Sequence, residues 1–146
     1  EQWERIKEKE RISKNQSGVL DGIAKNLPSL KRSQKIQKRA SGVGFDWPDT
    51  KGVLEKIKEE TSELEEAVES LDRDQIEEEI GDLLMIITNL SQKQEIDAEN
   101  ALQRANNKFI KRFSYIEEEL KKSHSDFSEV DLQVLDSLWE DSKKLG

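Results

Sequence analysis

The sequence has no cysteine, one histidine, two prolines and few aromatic residues. The absence of cysteine excludes disulfides, thiolate metal sites and cysteine nucleophiles, and it favours a reducing, cytoplasmic setting. No run of about 18 apolar residues occurs, and the N-terminus has no basic segment followed by an apolar one, so neither a membrane span nor a signal peptide is predicted. The net charge of −8 argues against nonspecific binding to nucleic acid or to an anionic membrane. We therefore expect a soluble, intracellular domain.

Helical periodicity runs through most of the chain. Apolar residues recur at intervals of three and four, and no alternating strand pattern persists, so the predicted fold is all-α, a bundle of four to five helices. Residues 1–20 are interpreted as a connector or marginal helix, and residues 21–146 as the domain. The predicted helices cover 28–40, opened by Pro28, then 53–71, 75–92, a segment from the cap Asp97 to about Leu120, and 129–144.

The predicted core lies on stripes of three of these helices. The short linker LDRD should make the helices 53–71 and 75–92 antiparallel neighbours. A loop at 41–52 holds the aromatic pair Phe45 and Trp47. The stripes comprise Val53, Ile57, Thr61, Leu64, Val68 and Leu71; Ile76, Ile80, Leu83, Ile87 and Leu90; and Ala98, Leu102, Ala105, Phe109, Phe113, Ile116 and Leu120.

Acidic residues on the two antiparallel helices are predicted to converge. At about 100° per residue, Glu60 and Glu63 lie on one margin of the first stripe, and Glu79 and Asp82 on the equivalent margin of the second. Their distances from the turn also agree. Burying a carboxylate without a cation costs on the order of several kcal/mol, so we expect a positive ion beside these residues.

The donor set indicates a hard cation, with Mg²⁺ favoured and Mn²⁺ a substitute, because all of the ligands are oxygens. A carboxylate-bridged di-iron bundle is the competing hypothesis, but it needs Glu-x-x-His on two helices, and the one histidine is His124 in a polar segment. The plainer alternative is that these acids are simply exposed to solvent.

Basic residues could hold a phosphorylated ligand near such a site. Lys108 and Arg112 are spaced i, i+4, and Lys56 lies one turn before Glu60. Trp139 and Lys143 form another such pair, in which the indole could stack on a base. Surface lysines and a core tryptophan are the alternative interpretation of these residues.

The segments KIKEETSELEEA and EEEIGDLLMIITNL resemble the EExxE and ExxD signature of the MazG nucleoside triphosphate pyrophosphohydrolases, within the all-alpha NTP pyrophosphatase superfamily. The resemblance continues through SLKRSQKIQKRASGVGFDWPD, ANNKFIKRF and the segment around Trp139. It implies metal binding by Glu60, Glu63, Glu79 and Asp82, triphosphate contacts by Lys108 and Arg112, and a nucleotide contact by Trp139. The resemblance also places Glu59, Lys56 and the turn from Gln75 to Glu78 near substrate, and suggests the C-terminal copy of a two-module protein.

The implied reaction is Mg²⁺-dependent hydrolysis of a nucleoside triphosphate to a monophosphate and pyrophosphate, with Glu59 as candidate base. The alternative is a non-catalytic helical interaction module whose acidic edge binds a basic partner. The consecutive apolar residues 83–87 point all round a helix axis, so a homodimer built on this helix is predicted. We expect the chain itself to leave uncovered the side of this helix that carries Met85 and Ile86.

Overall fold

The computed structural model describes residues 2–13 and 18–145, and for residues 11–13 the backbone alone. The described residues form six α-helices and two short 3-10 turns, with no strand among them, which confirms the all-α prediction. The helices are α1 Gln2–Ser13, α2 Ser29–Gly42, α3 Thr50–Ser70, α4 Arg73–Lys93, α5 Ala98–Lys122 and α6 Leu132–Ser142.

Aspartates at the N-caps start three of the helices. The side chain of Asp49 accepts a hydrogen bond from the Gly52 amide, and that of Asp72 accepts from the amides of Asp74 and Gln75. Asp131 caps α6 in the same way. Such caps satisfy amides that have no partner within a helix, which explains why each helix begins where it does.

Several predicted boundaries shift. Pro28 is the N-cap of α2 and lies outside its first turn, and α3 begins at Thr50, three residues before the predicted start. The last helix is shorter than predicted, because a 3-10 turn at Phe127–Glu129 precedes Asp131. Residues 2–13 are helical, while the interpretation of 1–20 as a connector stays a prediction.

The connection between α3 and α4 consists of Leu71 and Asp72 alone. Leu71 adopts a left-handed backbone with φ 60°, a conformation that costs a non-glycine residue about 1–2 kcal/mol. The two helices contact each other extensively, in agreement with the antiparallel pair that the short linker predicts.

The chain divides after Glu99 into two compact units. In the first, α2 and α3 both pack against α4. The buried apolar residues of this unit are Val53, Ala67, Ile86 and Ala98. The second unit buries Ile116 and Leu120 on α5.

The stripe predicted for α3 is partly wrong. Thr61, Val68 and Leu71 are exposed, whereas the buried positions are Val53, Glu60 and Ala67. These three residues are spaced by seven, so they lie on one narrow face. The stripe failed because it excluded Glu60 as a charged residue and Ala67 as a weakly apolar one.

The stripe predicted for α4 is also rotated. Ile80 and Ile87 are substantially exposed, and Ile86, Thr88 and Asn89 are buried. The prediction that Ile86 remains uncovered by its own chain is therefore wrong. The reason is that α4 is covered on two sides, by α2 and by α3.

The stripe on α5 is confirmed at its ends and fails in its middle. Ala98, Ile116 and Leu120 are buried, but Leu102 and Phe109 are exposed. None of the helices in the described residues combines the length and apolar character that a bilayer span requires.

Polar side chains hold α2 against α4. Ser33 shares a 2.9 Å hydrogen bond with the buried hydroxyl of Thr88, and Gln37 donates to the same hydroxyl at 2.7 Å. Gln37 also donates to the Met85 carbonyl. Because these bonds are made in a partly buried layer, they fix the position of α2 relative to α4.

Candidate metal centre

Three carboxylates from α3 and α4 come together in the first unit. Single carboxylate oxygens of Glu60, Glu79 and Asp82 all lie within 4.8 Å of one another. Glu60 is 6% exposed because it lies on the buried line of α3 with Val53 and Ala67. Glu79 and Asp82 are one turn apart on α4, so both face the same side.

Two oxygens of this cluster have no hydrogen-bond partner among the described residues. Glu60 Oε1 is 3.2 Å from Lys56 Nζ, but Glu60 Oε2 and Glu79 Oε2 are buried and unpartnered. A buried charged oxygen without a partner costs on the order of several kcal/mol. A divalent cation among the three carboxylates would remove that cost, and the all-oxygen donor set fits Mg²⁺ or Mn²⁺.

The pKa values of two acids in this region, Glu63 and Glu79, are raised. The negative charge of Glu60 raises the pKa of Glu63 above its ordinary value. Burial raises the pKa of Glu79, and the close approach of the Glu60 carboxylate and the negative charges of Glu63 and Asp82 add to the effect. Glu63 is outside the group of three, yet it is close enough to Glu60 to feel its charge.

Among the residues that the structure describes, Lys56 is the cation that pairs with this cluster. Its Nζ lies 3.2 Å from Glu59 and 3.2 Å from Glu60, and these two hydrogen bonds, the one to Glu59 first, raise the pKa of Lys56. Glu59 itself is exposed and lies beside Glu60. One lysine against several carboxylates leaves the cluster with an excess of negative charge.

The histidine that a di-iron centre would need is absent from this cluster, as far as the described residues go. His124 lies in the other unit, just beyond the end of α5, with φ 55°. Gln75 and Glu78 are exposed on the first turns of α4, and the Gln75 amide is bound to the Asp72 cap.

The predicted phosphate and base contacts lie in the second unit. Lys108 is exposed, and the Arg112 guanidinium lies over the Trp139 ring, 5.5 Å from its centroid. The same ring contacts Phe109 at 5.3 Å, so Trp139 is already packed within its own unit. Lys143 lies 2.9 Å from Glu140 and begins the 3-10 turn after α6.

Two polar residues of the first unit were missed by the sequence analysis. Asn89 is buried in the apolar half of α4, and its amide donates to Asp46 at 3.1 Å. Asp46 also pairs with Lys93 at 3.1 Å. The available signal was Asn89 itself, a carboxamide among apolar residues of a buried helix, where each polar group needs a partner.

Fold and site together define an all-helical protein with a candidate divalent-cation site between two antiparallel helices. Residues 49–116, which include all three clustered carboxylates, match the model of the MazG nucleotide pyrophosphohydrolase domain. The chain therefore carries a domain of the MazG family.

The chain is similar to curated proteins over nearly all of its length. It is 44% identical over 142 residues to the nucleoside triphosphate pyrophosphohydrolase/pyrophosphatase MazG of Thermotoga maritima. The aligned region covers 97% of this chain and 54% of that protein. It is 41% identical over 144 residues to the nucleoside triphosphate pyrophosphohydrolase of Escherichia coli, covering 97% and 55%. A protein of Bacillus subtilis named as uncharacterized, YabN, is 38% identical over 143 residues, covering 97% and 29%. The chain thus spans about half the length of the first two relatives.

Proposed function

We propose that this chain is a Mg²⁺-dependent nucleoside triphosphate pyrophosphohydrolase, which converts an NTP or dNTP and water to the monophosphate and pyrophosphate. The observation that carries the proposal is the carboxylate cluster with its two unpartnered oxygens. The family match and the printed names of two relatives support the same reaction.

Glu60, Glu79 and Asp82 would hold the metal, with Glu63 beside them as a fourth ligand. Mg²⁺ or Mn²⁺, when bound, neutralises phosphate charge and lowers the pKa of water. The negative charge of the cluster also repels a triphosphate that has no bound cation. Binding of substrate is therefore expected to depend on the metal.

Glu59 is the proposed general base. It is exposed and adjacent to Glu60, so it can accept a proton from a water molecule that approaches the cluster. Its ion pair with Lys56 holds the carboxylate close to the cluster. Lys56, which pairs with both Glu59 and Glu60, would contact the phosphates from beside the cluster.

The remaining predicted substrate contacts are part of the same proposal. Lys108 and Arg112 would bind phosphate oxygens, and Trp139 and Lys143 would contact the nucleotide. The Nε atom of Arg112 is buried and has no hydrogen-bond partner within the part of the chain that the structure describes. Gln75 and Glu78 would contribute from the start of α4.

We propose a homodimer formed on α4. Ile80, Leu84 and Ile87 lie on one face of this helix and are each more than two-fifths exposed in the single chain. Around Gly81 there is open space, since a Cβ added there would meet no atom within 4 Å. An exposed apolar face beside an open glycine is suited to close approach by a second copy. Cytoplasmic location and the assignment to a C-terminal module remain predictions.

Purified protein incubated with ATP or dTTP tests the function. With Mg²⁺ we expect equal amounts of monophosphate and pyrophosphate, and with EDTA neither. Release of a diphosphate and orthophosphate would show cleavage at the wrong bond. No product with any common nucleotide would favour an acidic interaction module that binds a basic partner.

A further inference from the structure

The helix α2 concentrates positive charge in an acidic protein, and nothing in the proposed function uses it. The chain has 24 basic and 32 acidic residues, but the 14 residues of α2 include five basic residues and no acidic one. The rest of the chain therefore carries a net charge of −13. Like charges three or four residues apart destabilise a helix, whereas a solvated helix face usually mixes both signs. The stability of α2 itself gives no reason for this segregation of charge.

Three of the basic residues form one exposed stripe. Lys31, Lys35 and Lys38 lie within about 60° around the α2 axis, at about 100° per residue, and extend for about 10 Å along it. We call them the lysine stripe. It is centred roughly 150° from Ser33 and Gln37, through which α2 binds α4, so it faces away from the core. No ion pair or hydrogen bond engages any of the three ammonium groups within the described part of the chain.

Two clefts beside the lysine stripe give this surface relief. A cleft of about 540 Å³ is lined by all three lysines and by Glu95 and Asp97, which follow the end of α4. A second cleft, of about 390 Å³, shares Lys38 and includes Glu4 and Glu8 of α1. A ligand on the stripe therefore meets ammonium groups on α2 and carboxylates on the neighbouring elements. It must carry mainly negative charge, with positive groups or hydrogen-bond donors at its edges.

These features fit a polypeptide better than a nucleic acid or a phosphate ligand. Arginine is the usual residue for phosphate recognition, but Arg32 is half-buried and Arg39 donates to the carbonyls of Val19 and Asp21. Among the described residues no aromatic side chain lines either cleft, so bases would find no stacking surface. A long nucleic acid would also approach the strongly acidic remainder of the chain. A short acidic segment avoids that repulsion, and its side chains and amides supply donors for the carboxylates of the clefts.

We propose that the lysine stripe docks an acidic segment of a partner protein, an α-helix whose Glu or Asp residues recur at intervals of three and four, as the lysines do. Two helices side by side share the same rise per residue, so this spacing lets three carboxylates meet three ammonium groups in one register. The partner helix would lie along α2, and the clefts would receive its flanking side chains. This interaction is distinct from the proposed hydrolysis, since none of the three lysines belongs to the carboxylate cluster.

The probe is a labelled helical peptide of about 18 residues, with glutamates at intervals of four and three in an alanine-rich sequence. Its fluorescence anisotropy at low salt should report binding to the whole chain, and binding should weaken as salt is added. Lys35→Glu combined with Lys38→Glu should raise Kd about tenfold, because each reversal replaces an attraction with a repulsion. The matched control is Lys121→Glu with Lys122→Glu, exposed lysines at the end of α5 that change the net charge equally. It should leave Kd within about twofold.

Cross-linking and competition decide what the lysine stripe recognises. Carbodiimide coupling of the bound peptide should join its carboxylates to Lys31, Lys35 or Lys38, as identified by peptide mapping. Equal weakening by the control variant, or equal binding of a peptide with the same glutamates spread round its helix, would overturn the proposal, because net charge alone would then explain binding. Displacement by tripolyphosphate or a short oligonucleotide at a lower concentration than unlabelled peptide would overturn it in favour of a phosphate ligand. Absence of binding at low salt would overturn it as well, and would leave α2 with a solvated basic face.

Discussion

The two faces of α4 differ in what each leaves unsatisfied. The inner face carries Glu79, Asp82 and Asn89, whose buried polar atoms include oxygens without partners. The outer face carries Leu84, 49% exposed, and Ile87, 43% exposed, whose apolar surface lies in water. Folding alone rarely preserves buried unpaired oxygens or a continuous exposed apolar face. The contrast indicates that α4 lacks two different kinds of contact, a ligand at its polar inner face and a protein partner at its apolar outer face.

Removal of one charge from the carboxylate cluster, at Glu60 of α3, should have the largest effect. Glu60→Gln is expected to lower turnover at least about 100-fold, since loss of even an outer-shell group near a metal costs 10- to 100-fold. Without metal the variant should be no less stable than wild type, because it relieves repulsion with Glu79 and Asp82. Mg²⁺ at a hundredfold excess over Kd should stabilise wild type by about 2.7 kcal/mol and leave the variant unchanged. Initial rates and melting temperatures check both statements.

Glu66→Gln is the control for that substitution. Glu66 is exposed on the same helix and is not part of the cluster. It should retain wild-type turnover and the response to Mg²⁺. A Glu60→Gln protein that turns over within a few fold of wild type would contradict the assignment of the carboxylate cluster as the metal site.

A charge on the outer face should dissociate the dimer. Leu84→Asp would bury a carboxylate in the proposed interface, at a cost on the order of several kcal/mol. Light scattering at micromolar concentration should give the mass of a dimer for wild type and of a monomer for the variant. Leu132→Asp, on an exposed residue of the second unit, should leave the mass unchanged. Equal masses for wild type and Leu84→Asp would show that this face is not the interface.

A smaller, pH-dependent effect should appear at Asp46, which positions the inner face. Burial acts to raise the pKa of Asp46, but hydrogen bonds from Asn89, Lys93 and Trp47 outweigh it and hold the pKa below its ordinary value of 3.8. A lowered folded-state pKa means that the stabilisation is full above the unfolded pKa and is lost as pH falls through the folded one.

Asp46→Asn should therefore cost about 2 kcal/mol of unfolding free energy at pH 7. The difference from wild type should shrink as pH falls below about 4. Urea unfolding at several pH values measures it, with the exposed Asp136→Asn as a reference. A difference that stays constant down to pH 2 would mean that packing, and not charge, holds the loop.

The smallest expected effect is the change in stability caused by Gly81→Ala, whose sign should differ between the monomer and the dimer. Within one chain a Cβ at Gly81 meets nothing, so Gly81→Ala should stabilise a monomeric Leu84→Asp background by about 1 kcal/mol through helix propensity. In the dimer the methyl group should meet the partner, and the gain should vanish or reverse. The same gain in both backgrounds, measured by urea unfolding, would place the interface away from Gly81.

The sequence was enough to predict the helices and the convergence of acids across the α3–α4 turn. Glu60, Glu79 and Asp82 could be placed together because helical rotation and distance from a short turn are both fixed by counting residues. Aspartate caps account for three of the six helix starts in the described residues. Neither inference depends on which residues the rest of the chain covers.

Burial was harder to predict, because it depends on tertiary neighbours. The covered side of α4 includes Thr88, whose hydroxyl is satisfied by Ser33 and Gln37 some fifty residues away. Asn89 is buried for a similar reason, through Asp46 in a distant loop. A hydropathy pattern treats both residues as surface positions, since it contains no information about the hydrogen-bond partners that compensate for their burial.

The turn at Leu71 and Asp72 acts as a ruler for the chemistry. Glu60 and Asp82 are each eleven positions from Leu71 along the chain, so they lie at similar distances from the turn. One extra residue between Glu60 and Leu71 would turn Glu60 by about 100° relative to the end of its helix, and so move it away from Glu79 without altering any residue of the cluster. Two residues with no chemical role thus set which carboxylates meet, and changes in length near this turn should be far less tolerated than changes in its composition.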